Sequence, residues 1–259
     1  MSYQPIGMFD SGVGGTSIWK ELHELLPNEN TFYLADSKYA PYGNKPKDRI
    51  LELSIKNTEF LLEKNCKLIV VACNTATTNA IAHLRKTYNV PFIGIEPAIK
   101  PAALNTNRKA IGILATKGTL SSALFHKTSD LFAKDIEVIE QVGHGIVPLV
   151  ESGKIDTLEM KNLLKKYLSP MIDANIDYLV LGCTHYPYII PVLKQLLPEH
   201  VTIIDSGEAV AKQTKYILQQ NNLLNQDVSN PELIFHSNSN PEILHNLIQG
   251  KGAVSYLDF

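Results

Sequence analysis

Residues 70–75 read Val70-Val71-Ala72-Cys73-Asn74-Thr75, and residues 180–185 read Val180-Leu181-Gly182-Cys183-Thr184-His185. Each is a buried-strand pattern followed by a small residue, a cysteine, a polar residue and a helix start. The cysteines stand 110 residues apart, about the size of one α/β domain. A weaker echo links Phe9-Asp10-Ser11-Gly12 with Ile204-Asp205-Ser206-Gly207. Outward from these strings, short apolar runs lie at 6–9, 31–34, 68–72, 92–95, 110–114, 136–139, 178–181 and 201–204. They are partly β-branched or aromatic and lack clean alternation, as expected of parallel strands buried on both faces. Helix-period segments at 14–25, 46–64, 75–88, 157–168 and 186–196 separate them, three ending just before Pro27, Pro91 and Pro198. The order predicts an α/β fold of two parallel-sheet domains related by pseudo-symmetry, with a cleft between them. The chain is expected to cross near 95–98 and 205–207. That makes 1–97 plus 207–259 the first domain and 98–206 the second. The tail, with strands at 233–235 and 253–256 and a helix at 241–248, is expected to return to the first domain.

Composition removes several other classes. The 259 residues carry 24 Lys+Arg against 26 Asp+Glu, a formal charge of −2, and 44% are hydrophobic. That suits a globular protein with a large core and gives no electrostatic case for a nucleic-acid partner or a membrane surface. No apolar run has membrane-helix length, and the start shows no signal-peptide pattern. Three cysteines, Cys66, Cys73 and Cys183, are odd in number and widely spaced, which suits reduced thiols in a cytoplasm. No paired spacing suggests a metal site.

In open parallel sheets ligands bind beyond the carboxyl ends of the strands. That rim would gather Asp10 and Ser11, Asp36 and Ser37, Cys73, Asn74 and Thr75, Ala115 and Thr116, and Cys183, Thr184 and His185. The loop Asp10-Ser11-Gly12-Val13-Gly14-Gly15-Thr16 can aim N–H groups at a bound anion, or can be a tight turn capped by Asp10 or Ser11. It matches no nucleotide-binding pattern. The stretch from Ala35 to Gly43 is long for its place and reads equally as a functional or an ordinary surface loop.

A free cysteine is usually a small buried hydrophobe. Cys73 and Cys183 differ from that pattern by ending strands, by preceding helix starts and by recurring as one unit. A helix N-terminus is expected to lower both thiol pKa values. Cys66 has none of these features and reads as structural. His185 can polarise Cys183 or serve structure, and Glu151, after the apolar run at 146–150, reads on its own as solvent-facing. Two opposed thiols suit inversion at a carbon bearing an acidic proton, one group removing a proton from one face and the other returning one from the opposite face.

At these residues the sequence resembles bacterial glutamate racemases. The matching strings are Phe9-Asp10-Ser11-Gly12-Val13-Gly14-Gly15, Ala35-Asp36 with Pro41-Tyr42-Gly43, Ala72-Cys73-Asn74-Thr75-Ala76-Thr77, Leu181-Gly182-Cys183-Thr184-His185-Tyr186-Pro187 and Asp205-Ser206-Gly207-Glu208-Ala209. His185 separates it from aspartate racemases, which tend to carry an acidic residue there. The resemblance implies two flavodoxin-like domains and a cofactor-independent, metal-free racemase that interconverts L- and D-glutamate. It further implies supply of D-glutamate for peptidoglycan in a bacterial cytoplasm, and a homodimer. It implies that Cys73 and Cys183 are the catalytic thiols, that Asp10 assists the first, and that His185 and Glu151 assist the second, which reverses the solvent-facing reading of Glu151. Substrate binding is implied for Asp10, Ser11, Tyr42, Gly43, Asn74, Thr75, Thr184 and His185. The rivals are a racemase of aspartate, a Cys–His hydrolase using Cys183 and His185, and a two-domain amino-acid binding protein.

Overall fold

A computed structural model describes residues 2–226 and 230–259; residues 227–229 of the tail lie outside it. In chain order the elements are β1 (Ile6–Asp10), α1 (Thr16–Leu25), β2 (Thr31–Ala35), α2 (Lys47–Glu63), β3 (Leu68–Val71), α3 (Asn74–Thr87), β4 (Phe92–Gly94) and α4 (Ile99–Asn105). Then come β5 (Ala110–Ala115), α5 (Lys117–Leu120), α6 (Ala123–Phe132), β6 (Glu137–Val142), α7 (Ile146–Glu151), α8 (Leu158–Asp173), β7 (Tyr178–Gly182), α9 (Ile190–Leu196) and β8 (Thr202–Ile204). The chain continues with α10 (Gly207–Gln220), β9 (Leu233–Ser237), α11 (Pro241–Leu247) and β10 (Ala253–Tyr256).

The strands form two sheets among the described residues, ordered β10-β9-β2-β1-β3-β4 and β6-β5-β7-β8, with every recorded pairing parallel. The stretch β2-β1-β3-β4 and the whole second sheet share one order, second-first-third-fourth in local sequence. That order reverses direction between β1 and β3, and again between β5 and β7. Ligands of doubly wound sheets sit at such reversals. Cys73 follows β3 and Cys183 follows β7, so the echo in the sequence marks equivalent strand ends. No helix among the described residues is long and apolar enough to cross a membrane.

Apolar side chains hold the two sheets to each other. One buried cluster draws Ile6, Met8, Leu68 and Val70 from the first sheet and Leu114, Leu179 and Leu181 from the second. The alternate residues of the same strands pack outward: Phe9, Leu34, Ile69 and Val71 form one further cluster, and Ile111, Ile113 and Val180 another. Strands placed between two apolar layers read as runs, not alternations. That expectation holds for β1, β2 and β3, which are buried throughout. It fails for β6, β8 and β10, whose residues are half-buried or exposed because each strand lies at the edge of its sheet. Helix ends also differ. α8 continues through Pro170, its last turn held by fully buried Met171, and the segment at 186–196 opens as a 3-10 turn over Tyr186–Ile189 before α9. Five helices, α4, α5, α6, α7 and α10, were not expected from periodicity.

Candidate active site

The loops after β1, β2, β3, β5 and β7 meet around a narrow cavity. Ser11, Tyr42, Gly43, Cys73, Asn74, Thr75, Cys183, Thr184 and His185 all line it. Of the expected residues, Asp10 and Glu151 do not; each stands behind the wall and grips a residue that does.

Cys73 is the N-cap of α3. Its sulfur accepts from Ala76 N–H at 3.5 Å and lies 3.6 Å from Ser11 Oγ. It is 4% exposed. Burial pushes the thiol well above its ordinary pKa and the Asp10 charge adds to that, against the lowering by Ala76 N–H and Ser11. The expectation that the helix would lower this pKa is therefore corrected: desolvation outweighs the helix end. Asp10 is fully buried. Its Oδ2 accepts from Gly15 N–H at 2.7 Å and from Thr184 Oγ1 at 3.3 Å. Burial raises its carboxyl pKa, opposed first by the charge of His185.

Cys183 has a different neighbour. Its sulfur is 3.8 Å from Nδ1 of His185, whose Nε2 lies 2.5 Å from Glu151 Oε1. Burial lowers the imidazole pKa, yet Cys183 and Glu151 together carry it well above the usual value. A protonated His185 donates from both ring nitrogens, to the Cys183 sulfur and to Glu151. Glu151, on α7, also accepts from Val13 N–H at 2.7 Å and from Ser37 Oγ at 2.7 Å. Those two donors belong to loops of the first sheet. The side chain is 14% exposed and is turned onto His185, Val13 and Ser37, behind the cavity wall and not out to solvent.

The Gly-rich loop serves these contacts. Val13 N–H is taken by Glu151 and Gly15 N–H by Asp10, so neither is free for an external anion, the first of the two readings the sequence left open. The turn has no side-chain cap; Gly15 holds the N-cap position of α1. A Cβ at Gly12 would overlap the Glu151 carboxylate, and one at Gly14 would overlap the His185 ring. These glycines provide room and not unusual dihedrals, since neither has positive φ.

The remaining wall is hydroxyl-rich. Thr75 Oγ1 is 2.8 Å from Thr116 Oγ1 and 3.5 Å from Thr119 Oγ1, joining the two sheets' loops. Tyr42 directs its hydroxyl away from the cavity, donating to Asp36 and accepting from Asn57 Nδ2 at 3.1 Å. Its ring and Gly43 are what the cavity meets. Asn74 is 3% exposed, and its Nδ2 has no acceptor among the described residues. An amide donor buried in a cavity wall is suited to a ligand oxygen. Sequence reasoning missed Val147 in the lining and Thr119 behind it. The i,i+3 pair Thr116 and Thr119, with Thr116 accepting from Thr119 N–H as N-cap of α5, was the available signal for the latter.

The sequence and fold resemble those of known proteins. Residues 20–214 match the family model of Asp/Glu/Hydantoin racemases. A glutamate racemase of Ectopseudomonas mendocina is 46% identical over 224 residues, 86% of this chain and 85% of that protein. A glutamate racemase isoform of Bacillus anthracis superposes with a TM-score of 0.88 at 30% identity, covering 100% of this chain and 98% of that one. The Escherichia coli glutamate racemase, solved with L-glutamate and the activator UDP-MurNAc-ala, gives 0.88 at 33% identity, covering 98% of each chain. The chain therefore belongs to the Asp/Glu racemase family of isomerases.

Proposed function

We propose that this enzyme interconverts L- and D-glutamate by two-base proton transfer, with Cys73 and Cys183 on opposite faces of the substrate α-carbon. The observation that carries this reading is the pair of buried thiols at equivalent strand ends, lining one cavity, each with its own acid–base partner. In one direction a thiolate takes the α-proton and becomes a thiol. The opposite thiol then gives its proton to the other face of the carbanion and is left as thiolate. The direction reverses for the other enantiomer. Burial and Asp10 favour Cys73 as the protonated partner in the substrate-free site, while a charged His185 offers a hydrogen bond to the Cys183 sulfur. A thiol gives and takes a proton far more readily than a hydroxyl near neutral pH, which suits both halves of the cycle. Residues 1–97 with 207–259, and 98–206, serve as the two domains that enclose the substrate.

The α-proton of an amino acid is weakly acidic, so the carbanion needs donors aimed at its carboxylate in a water-poor site. Asn74 Nδ2 and the first free N–H groups of α3 are placed for that. Thr75 and Thr184, with Ser11 and the ring of Tyr42, complete the substrate wall. No cofactor or metal enters the scheme. His185, where aspartate racemases tend to carry an acid, favours glutamate over aspartate. The solved relatives bound to L-glutamate and to D-glutamate support the same substrate. By the same kinship we assign the enzyme to the bacterial cytoplasm, to D-glutamate supply for peptidoglycan, and to a homodimer. The test is incubation of the purified protein with D-glutamate in heavy water, following optical rotation and α-deuterium together. Loss of rotation with deuterium entering the product is expected. Binding without loss of rotation would leave an amino-acid binding protein and demote both thiols.

A further inference from the structure

The tail of the chain reaches the active site from behind. β9 pairs with β2 and sets Ser237 opposite Ala35, whereas the second sheet, β6-β5-β7-β8, ends at the equivalent place without such a strand. One residue past both strand ends, Asn238 meets the loop that begins at Asp36. We propose that Asn238 is a positioning residue for racemisation: it fixes the turn that carries Ser37, and through Ser37 the Glu151 carboxylate that serves His185 beside Cys183. It rests on the two-thiol scheme and adds to it a residue outside the cavity wall.

Ser37–Tyr39 is a single 3-10 turn. A turn that short has no ladder of its own and depends on what satisfies its first N–H groups. Asp36 occupies the N-cap position, yet its side chain caps nothing. That carboxylate is fully buried and is taken by Tyr42 Oη, Lys56 Nζ at 3.1 Å, Asn57 Nδ2 at 3.4 Å and Asn238 Nδ2. The donor that an N-cap side chain would receive, Lys38 N–H, goes to Asn238 Oδ1 at 2.9 Å. Asn238 thus caps the turn from 200 positions away, and its own N–H donates to Ala35 O at 3.3 Å.

These contacts bracket Ser37. Ala35 and Asp36 precede it, Lys38 follows it, and all three are held by one buried residue. Ser37 Oγ in turn donates to Glu151 Oε2 at 2.7 Å, and Glu151 Oε1 lies 2.5 Å from His185 Nε2. The place calls for an amide, which accepts at one end and donates at the other. A carboxylate at 238 would face Asp36 with like charge, and an apolar side chain would leave Lys38 N–H without its acceptor. Tyr42 depends on Asn238 far less. Its hydroxyl also accepts from Asn57 Nδ2 at 3.1 Å, and Lys56 holds Asp36 in any case. The effect of Asn238 therefore falls on the Cys183 flank and not on the substrate wall.

The whole chain is compared as wild type, Asn238→Ala, Ser37→Ala, the double variant and Asn240→Ala. Asn240→Ala removes a cap of α11, the contact to Glu242 N–H, without touching the loop, and so controls for a loosened tail. Polarimetry gives kcat and KM against pH. NMR follows the ring titration of His185, its signal identified by loss in His185→Asn. Asn238→Ala is expected to lower kcat about threefold and to leave KM within about twofold. It should also move the alkaline limb and the His185 titration to lower pH, because a loosely held Glu151 raises the imidazole pKa less. The titratable neighbours of His185, namely Cys183, Glu151 and Asp10, are all kept in this variant. In the Ser37→Ala background the substitution should add nothing to either shift, and Asn240→Ala should move neither. Asn238→Ser takes the place of Asn238→Ala should the latter not fold, with a smaller shift of the same sign. The proposal is overturned by an unmoved limb and titration, by an equal further shift in the Ser37→Ala background, or by an equal shift in Asn240→Ala. A wild type that does not racemise glutamate overturns the two-thiol scheme instead, and the His185 titration still decides whether Asn238 acts through Ser37.

Discussion

Cys73 and Cys183 end equivalent strands of two sheets with the same order, yet they are built into different surroundings. Cys73 packs with Ile69 and Val71 on the outer side of its sheet, and its partners come from that same half of the molecule: Asp10 ends β1, Ser11 follows it and Ala76 lies in α3. Cys183 packs with Leu179 and Leu181 in the cluster shared by both sheets. Its partner His185 is fixed by Glu151, which in turn is held by Val13 and Ser37 from the other sheet's loops. One thiol is served by a buried carboxylate, the other by an imidazole with a raised pKa. Repeating a strand end therefore does not repeat the chemistry; the loops added around it decide which proton each sulfur can hold.

The largest effect tests whether both sulfurs are needed at all. Cys73→Ser and Cys183→Ser should each lower turnover by about 10³-fold or more, because a hydroxyl is too weak an acid to exist as the base near neutral pH. Polarimetry with either enantiomer checks it. Near-normal activity of either variant in both directions would sink the two-thiol scheme.

Next, Asp10→Asn and His185→Asn should each reduce turnover by about 10²-fold, and to different extents in the two directions. The equilibrium constant of a racemisation is one, so kcat/KM must stay equal in both directions and the asymmetry must appear in kcat and KM separately. Full progress curves from each enantiomer measure this. Equal kcat losses in both directions for both variants would erase the distinction between the two flanks.

A smaller, directional effect is expected of Glu151→Gln. Glu151 raises the His185 pKa, so its removal lets that pKa fall. Activity that needs charged His185 is lost as pH rises through its pKa, so the alkaline limb should move to lower pH, with about tenfold less activity at neutral pH. An unmoved limb would mean Glu151 is structural. Smallest is Ser37→Ala, which removes one hydrogen bond of about 1 kcal/mol to a partly exposed carboxylate and should cost roughly fivefold in kcat. Its alkaline limb should move in the same direction as that of Glu151→Gln but less far. A KM effect alone would instead place Ser37 in substrate binding.

Much of this was legible in the sequence because parallel strands between two layers must be apolar at successive positions, so the strands buried throughout, such as β1, β2 and β3, left clear runs, while the edge strands β6, β8 and β10 left weaker ones. The repeat around Cys73 and Cys183 was legible for the same reason. Other features left little local trace. α7 contains Pro148 amid β-branched residues and is only six residues long, entered through left-handed Gly145, so no helical period could show. The grip of Ser37 on Glu151 spans 114 positions. Glycines 12 and 14 were visible, but their cause was not: they make way for side chains from the other end of the site. The direction of the Cys73 pKa was misread since a helix start is written in sequence and depth of burial is not.

The position of Glu151 also makes a mechanical interlock. Its carboxylate touches His185 on one side and the first sheet's Val13 and Ser37 on the other, so the two sides of the cleft cannot part without undoing that latch. Under the proposed two-thiol scheme, parting the cleft for a substrate would disarm the Cys183 flank, and closing would rearm it. That scheme would then confine proton abstraction to the shut enzyme and keep the carbanion from bulk water.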